Sequence, residues 1–279
     1  MRVSKQRLIS FTNGITMSRP YHLFKYNHTE GDNFTAIAHR GASAYYPENT
    51  LASFEDAILM DADMVELDVQ LTKDGEVVVF HDEKISRCTN GRGRIADHTL
   101  MKLKALDAGS WFNKKFHGTK IPTLTEVLSL CRDKIAVNIE IKTEAVTDAV
   151  GGGIEELSLN IAEQSGMSGH IVFSSFDPRA IKHLKDIDSS TAVAVLFERG
   201  YYGSALPSEI IESLGADAFN CSLNELSDKW LSNLKLNNIP LNIYTVNDES
   251  NMRLLIKMGV SGIFTNNPDI LKRVVTVMQ

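Results

Sequence analysis

The feature that most constrains this chain is an alternation of short β-like runs with longer amphipathic runs, which begins near Thr35. The short runs are rich in Val, Ile and Phe, whereas the longer runs repeat apolar residues at helical spacing. Strands that alternate with helices predict a parallel sheet with crossover helices. The strand-like runs are TAIAH, MVELDVQLT, EVVVFH, IAVNIEIK, HIVFSSF, TAVAVLF, DAFNCS, LNIYTV and GIFT. The helix-like runs include NTLASFEDAILM, LTEVLSLCR, IEELSLNIAEQS, PRAIKHLK, SEIIESL, DKWLSNLK and ESNMRLLIKM.

One of the nine strand-like runs does not fit the parallel set. MVELDVQLT and EVVVFH are separated only by Lys73, Asp74 and Gly75, whereas parallel neighbours need a crossover of about a dozen residues. An Asp-Gly pair between β-rich runs is typical of a tight hairpin, so EVVVFH is predicted to return antiparallel. The eight remaining strands predict an α/β fold, a (β/α)8 TIM barrel. Two doubly wound domains would use similar elements, but no linker or change in composition divides the chain.

Two segments do not follow the alternation of strands and helices. Residues 1–33 lack periodicity and a clear cleavage site, and are predicted to be an N-terminal extension to a single barrel domain over residues 34–279. Residues 83–121 are too long for an ordinary strand-to-helix loop, so we predict an insertion after the hairpin arm, over the open end of the barrel. Its aromatic residues, which include Trp111, either line a pocket or form a small satellite core, and the satellite core is the default expectation.

Composition narrows the choice of partners. A net charge of −6 provides no general basic field, so we predict no nucleic-acid partner. No run of about 18 apolar residues occurs, so we predict no membrane span. The three cysteines, Cys88, Cys131 and Cys221, are scattered and odd in number. This pattern is typical of free thiols in a reducing compartment. Because the sequence shows no clear signal peptide, we predict a cytoplasmic location. The oligomeric state is left open.

Charged residues lie near the carboxyl ends of the early barrel strands, where barrel enzymes place their catalytic groups. Residues i and i+2 of a strand face the same side, so Glu66 and Asp68 project together, as do Glu140 and Lys142. Three carboxylates converging inside a barrel repel one another unless they are paired or bind a metal. Because Mg²⁺ and Ca²⁺ prefer oxygen ligands, we predict a divalent metal site at Glu66, Asp68 and Glu140.

Two histidines occupy comparable positions at strand ends. His39 ends the first strand and His81 ends the hairpin arm. If Asp74 and Gly75 form a two-residue turn, counting back along both strands places His81 opposite Asp68. Cross-strand partners share a face and have Cβ atoms about 4.5–5.5 Å apart. This register therefore predicts that the second histidine lies beside a metal ligand, whereas a one-residue slip would turn it to the other face.

Several short segments occur in a specific order along the chain. They are HRG at 39–41, PENT at 47–50, ELD at 66–68, VVVFHD at 77–82, PTLTEVL at 122–128, IEIK at 139–142, SSF at 174–176, YTVN at 244–247 and GVSGIFTNNP at 259–268. Together they resemble the glycerophosphodiester phosphodiesterase family, from about Thr35 to Pro268 and including the insertion. The resemblance implies a (β/α)8 barrel that uses a divalent ion, Mg²⁺ or Ca²⁺, to hydrolyse glycerophosphodiesters to sn-glycerol 3-phosphate and an alcohol.

The resemblance also implies roles for individual residues. His39 and His81 match the family's general acid and base, and Arg40 and Lys142 match its phosphate-contacting positions. The implied metal ligands are the three carboxylates predicted above. Glu48 and Asn49, in the PENT segment, are expected to bind the substrate or to support the residues that bind it.

Two positions depart from the family pattern. Tyr244 stands where many relatives have Trp, and an aromatic wall for the glycerol or the leaving group survives that change. Asn266 stands where Asp is common. If that position has a structural capping role, Asn performs it at little cost, and we expect the change to have no effect on the histidines or the metal carboxylates.

Three alternatives stay open. A phospholipase-like barrel would attack intact lipid phosphodiesters and would need an apolar surface near the barrel mouth. A non-catalytic barrel would have lost a histidine or a metal carboxylate, and all of these are present. A hydrolase for another phosphate ester would differ in its products. The residues choose neither the leaving alcohol nor the nucleophile, which is either water or a hydroxyl of the substrate.

Overall fold

A computed structural model of the chain describes residues 34–278, so the predicted extension over residues 1–33 lies outside the described residues. Eight parallel strands close into a ring because β1 pairs with β2 and with β9, the last strand. The strands are β1 (Thr35–His39), β2 (Met64–Leu71), β3 (Val77–Val79), β4 (Ala136–Ile141), β5 (Ile171–Ser175), β6 (Val193–Leu196), β7 (Ala218–Ser222), β8 (Leu241–Tyr244) and β9 (Gly262–Thr265). Their order is β1-β9-β8-β7-β6-β5-β4-β2-β3, in which β3 alone is antiparallel to its neighbour. The predicted (β/α)8 barrel is confirmed.

Helices cover the outside of the barrel, and several of them begin at a side-chain cap. Thr123 accepts a hydrogen bond from the Glu126 N–H, and the Glu126 carboxylate accepts one from the Thr123 N–H, which satisfies donors at the helix start. The helices are α1 (Leu51–Leu59), α2 (Leu100–Ala105), α3 (Leu124–Cys131), α4 (Ile154–Gln164), α5 (Pro178–Ile187), α6 (Arg199–Tyr202), α7 (Pro207–Leu214), α8 (Asp228–Leu236), α9 (Glu249–Met258) and α10 (Pro268–Met278). All seven predicted helical runs are present, and α2, α6 and α10 lie outside them.

The period of two along each strand divides the core. Outward-facing residues such as Val65 and Val137 pack under the helices, in the larger apolar cluster. Inward-facing residues, including Ile37, Met64 and Phe264, fill the barrel interior nearer the amino ends of the strands. An apolar plug at that end leaves polar inward-facing side chains for the carboxyl ends.

The hairpin arm β3 runs antiparallel to β2 as predicted, but the register differs by one residue. The Thr72 N–H donates to the Glu76 carbonyl at 3.0 Å, so the loop holds three residues and Gly75 adopts a φ of +81°. A third loop residue shifts every later pair. The Phe80 N–H donates to the Asp68 carbonyl at 2.9 Å, and the predicted pairing of Asp68 with the second histidine is wrong. A three-residue loop with one left-handed glycine is also a common hairpin connection.

Residues 83–121 contain α2, two short 3-10 turns and a satellite core. That core is mainly aliphatic and comprises Val78, Phe80, Ile85, Cys88, Ile95, Leu103, Ala108 and Ile121. The aromatic residues form a separate group at the surface, in which Trp111 contacts Phe112, Phe112 contacts Phe116, and Phe116 contacts Tyr46. The expectation that these aromatics build the satellite core is therefore wrong, because aliphatic side chains fill that space.

The structure also bears on the cysteines and on the helices. All three cysteines are buried and unpaired, as predicted for free thiols. Across residues 34–278, none of the helices is both long enough and apolar enough to cross a bilayer.

Candidate active site

A sharp turn after β1 starts the site. Arg40 and Gly41 both have positive φ, 57° and 79°. A Cβ on Gly41 would lie 2.5 Å from Ser53 Oγ and 2.6 Å from its backbone, so only glycine lets the turn pack against α1. The Ser53 hydroxyl donates to the Arg40 carbonyl at 3.0 Å, and the Arg40 N–H donates to Glu66 Oε2 at 2.9 Å. The turn thus directs His39 and Arg40 toward the barrel interior.

Three carboxylates meet below this turn because neighbouring strands are in register. His39 pairs with Glu66 between β1 and β2, and Asp68 pairs with Glu140 between β2 and β4. One oxygen from each carboxylate lies within 4.8 Å of the others, so the prediction that they project together is confirmed. Glu66 Oε1 and Asp68 Oδ1 are buried and have no hydrogen-bond partner. An all-oxygen donor set in which two buried oxygens lack a hydrogen-bond partner fits a hard divalent cation.

Burial and mutual repulsion set the charge of this group. Burial raises the pKa of Glu66 well above its usual value, and the charges of Asp68 and Glu140 raise it further. Burial also raises the pKa of Glu140, with Asp68 adding to the effect. Burial acts in the same direction on Asp68, but the cations Lys142 and Arg40 outweigh it and lower the pKa of Asp68. The group therefore prefers an added positive charge.

Two partly buried cations lie against the carboxylates. Lys142 Nζ donates to Glu140 Oε1 at 2.7 Å and lies 3.5 Å from Asp68 Oδ1. Arg40 Nε lies 3.4 Å from Asp68 Oδ2. Burial lowers the pKa of Lys142, but Glu140 and Asp68 outweigh burial and raise it above its usual value. Both side chains therefore carry fixed positive charge where an anionic substrate would enter.

Each histidine is supported from behind through Nδ1. His39 Nδ1 lies 2.8 Å from Asn266 Oδ1, and His81 Nδ1 lies 2.6 Å from Asp82 Oδ1. With an oxygen acceptor at Nδ1, each ring carries its proton there when neutral and leaves Nε2 available. Burial, with a further contribution from Arg40, lowers the pKa of His39 to about 4. His39 is therefore neutral at neutral pH.

The contact of Asn266 corrects one expectation. It was expected to have a capping role without effect on the histidines, but it holds the ring of His39 directly. Its own backbone is fixed because the Asn266 N–H donates to Asn247 Oδ1 at 2.8 Å. The contact joins two ends of the barrel chain, which no local pattern reveals.

His81 reaches the site although its predicted register is wrong. Strand β3 ends at Val79, so the pleat does not set the direction of His81. Instead Gln70 Nε2 lies 3.0, 3.1 and 2.8 Å from the carbonyl oxygens of Phe80, His81 and Asp82. Sequence reasoning missed Gln70, although the period of two places it on the same face as the metal carboxylates.

The remaining predicted residues divide between the cavity and its support. Tyr244 lines the cavity, with its ring centroid 6.0 Å from that of Phe176. Glu48 lies behind Arg40 and accepts a hydrogen bond from Arg40 Nη1 at 2.9 Å. Asn49 Nδ2 donates to Asp68 Oδ2 at 2.8 Å. The cavity is lined by His39, Arg40, Glu66, His81, Asn138, Glu140, Lys142, Ser174, Phe176, Leu196, Tyr244, Thr245 and Phe264.

Buried carboxylates, two cations and two histidines gather around one cavity at the carboxyl ends of the barrel strands, where TIM-barrel enzymes place their active sites. The match to known proteins is more specific. The model of the glycerophosphoryl diester phosphodiesterase family matches residues 39–270, and the chain belongs to this family. The predicted family and enzyme class are confirmed.

The similarity extends over most of the chain. The chain is 35% identical over 260 residues to a glycerophosphodiester phosphodiesterase of Bacillus subtilis, and the match covers 87% of each protein. It is 40% identical over 239 residues to a glycerophosphodiester phosphodiesterase of Caldanaerobacter subterraneus, covering 84% of this chain and 95% of the relative. A phosphodiesterase of Oleispira antarctica, solved with the product sn-glycerol-3-phosphate, matches with a TM-score of 0.81 at 28% identity. That match covers 93% of this chain and 100% of the other.

Proposed function

We propose that this chain hydrolyses glycerophosphodiesters to sn-glycerol 3-phosphate and an alcohol, using a divalent metal and a pair of histidines. The observation that carries the proposal is that His39 and His81 line one cavity with Arg40, Lys142, Glu66 and Glu140, and that Asp68 lies directly beside the two glutamates. The product held by the Oleispira antarctica phosphodiesterase supports the same substrate class.

Glu66, Asp68 and Glu140 would hold the metal, Mg²⁺ or Ca²⁺. When bound, such an ion supplies Lewis-acid stabilisation of charge on phosphoryl oxygens. Arg40 and Lys142 add fixed positive charge from the protein to the same cavity, where it stabilises negative charge that develops in the transition state.

The environments of the histidines favour one division of roles. His39 is neutral and keeps a lone pair on Nε2, so it accepts the proton of the attacking hydroxyl. As the new O–P bond forms, the bond from phosphorus to the leaving oxygen breaks. His81, whose ring Asp82 holds through Nδ1, donates a proton from Nε2 to that oxygen. The same pair serves water or a substrate hydroxyl as nucleophile, while Phe176 and Tyr244 provide an apolar wall.

The test is release of glycerol 3-phosphate from glycerophosphocholine in a coupled dehydrogenase assay. We expect release to stop with EDTA and to return with Mg²⁺ or Ca²⁺. His39→Ala and His81→Ala should each lower kcat by about 100-fold or more, whereas His170→Ala, at an exposed surface position, should not. Full turnover in either active-site variant would remove the acid–base proposal.

A second candidate substrate is the intact lipid phosphodiester. The observation that favours it is the surface aromatic group, in which Trp111 is 38% exposed. The centroid of the Trp111 ring lies 5.9 Å from Cζ of Arg87, beside the site. Lipid vesicles assayed in parallel with soluble glycerophosphodiesters separate the two candidates. Failure with every phosphodiester would leave the non-catalytic binding barrel. A cytoplasmic location and the lack of a nucleic-acid partner remain predictions.

A further inference from the structure

The guanidinium of Arg87 binds two carboxylates at once. Arg87 Nε and Nη2 donate to Asp82 at 2.5 and 2.9 Å, and Nη1 and Nη2 donate to Glu48 at 2.8 Å each. The planar guanidinium presents its donors in a rigid fork that matches carboxylates in this paired way, and lysine cannot reproduce it.

Each of the two carboxylates in turn contacts a residue of the active site. Asp82 Oδ1 lies 2.6 Å from His81 Nδ1. Glu48 Oε1 accepts a hydrogen bond from Arg40 Nη1 at 2.9 Å. Arg87 therefore connects the support of one proposed catalytic residue with the support of the proposed phosphate-binding arginine.

We propose that Arg87 is a positioning residue, which holds Asp82 against His81 and Glu48 against Arg40 so that both active-site side chains are oriented together. This inference rests on the proposed function. It also assigns a task to the segment between β3 and α3, since Arg87 belongs to that segment and not to a barrel strand.

Arg87 differs from an ordinary surface ion pair because its backbone is anchored and its partners are shielded. Ile85 and Cys88, on either side of it, are buried in the satellite core. The side chains of Glu48 and Asp82 are only 14% and 25% exposed. A hydrogen bond from Arg87 lowers the pKa of Asp82 to about 2, which keeps that carboxylate charged behind the histidine.

The test compares Arg87→Ala with Arg179→Ala. Arg179 is a matched control because its side chain is equally exposed, at 44%, and also bridges two carboxylates, Asp177 and Asp148, neither of which lines the cavity. We expect Arg87→Ala to lower kcat/KM by about 10- to 100-fold, as loss of an orienting partner does. Arg179→Ala should stay within about 2-fold of the unchanged protein, and Arg87→Lys should recover only part of the loss because lysine is a point charge.

Added guanidinium chloride, at constant ionic strength, should raise the activity of Arg87→Ala but not that of Arg179→Ala. A merely structural role would not show this rescue. Near-normal kcat/KM in Arg87→Ala, an equal loss in Arg179→Ala, or full activity in Arg87→Lys would overturn the proposal.

A readout without turnover separates this inference from the proposed function. With ¹⁵N-labelled histidine, the imidazole signals of His81 should show a proton held on Nδ1. In Arg87→Ala the His81 imidazole should populate both tautomers, because Asp82 is no longer held against it. An unchanged His81 spectrum would refute the positioning role even in a fully active protein. A changed spectrum in a chain without phosphodiesterase activity would instead retain the positioning role and reject the proposed function.

Discussion

The side-chain oxygen of Asn266 lies 2.8 Å from Nδ1 of His39, although 227 positions separate the two residues in the chain. An amide orients the imidazole ring without placing a negative charge beside it. Burial therefore remains the largest influence on the ring, and it lowers the pKa of His39 to about 4. In contrast, His81 is backed by the Asp82 carboxylate. The two rings share one cavity but are supported by partners of different charge, which is the physical basis for giving them different roles.

Asn266→Asp should raise the pKa of His39, because the new carboxylate stabilises the imidazolium form. His39 is then protonated over a pH range in which it is otherwise neutral, and it cannot accept a proton there. The acidic limb of the kcat/KM profile should move to higher pH by about one unit or more. Asn267→Asp is the control, since it adds the same charge where the side chain contacts the Tyr45 hydroxyl. An acidic limb that does not move would contradict the role of His39 as proton acceptor.

Glu66→Gln should weaken metal binding, because it replaces a buried charged oxygen ligand with a neutral amide. A metal that binds only the folded protein raises its thermal midpoint, so Mg²⁺ or Ca²⁺ should stabilise the unchanged chain. We expect this rise to shrink, with the metal affinity about 10-fold lower or worse. Glu163→Gln, at an exposed position on α4, should keep the full rise. If Glu66→Gln also kept the full metal-dependent rise in thermal midpoint, the three carboxylates would not be the metal site.

Metal affinity should fall as the pH is lowered. The pKa values of Glu66 and Glu140 are raised, first by burial and then by neighbouring carboxylates, so protons compete with the metal at a higher pH than for ordinary glutamates. Titration calorimetry in buffers of different ionisation enthalpy should detect proton release on metal binding, increasing as the pH falls toward those raised values. Binding without proton release over that range would show that both side chains are already ionised in the metal-free protein.

Gly41→Ala should destabilise the protein more than Gly75→Ala. Both glycines have nearly the same φ, +79° and +81°, so the left-handed backbone costs each variant about 1 kcal/mol. An added Cβ has open space at Gly75 but would lie 2.6 Å from the Ser53 backbone at Gly41. We expect a further loss of about 2 kcal/mol in the free energy of unfolding for Gly41→Ala. Urea unfolding of both variants measures the difference, and equal losses would show that α1 moves aside freely.

Much of this protein follows from its local sequence pattern. Alternating runs predict strands and helices because the pleat and the helix have fixed periods, and short connections restrict how such elements pair. The same period explains why Glu66 and Asp68 share a face of β2. The short hairpin loop alone predicts that β3 runs antiparallel. These features depend only on neighbours in sequence.

Only the tertiary structure decided the supports behind the active-site side chains. One additional loop residue shifted the hairpin register, and Gln70, not the pleat, sets the position of His81. Asn266 meets His39 only because the last strand closes against the first. Arg87 meets Glu48 across 39 positions because the segment between β3 and α3 comes back to the loop between β1 and α1. Such contacts depend on barrel closure and on loop conformation, and no local periodicity encodes either.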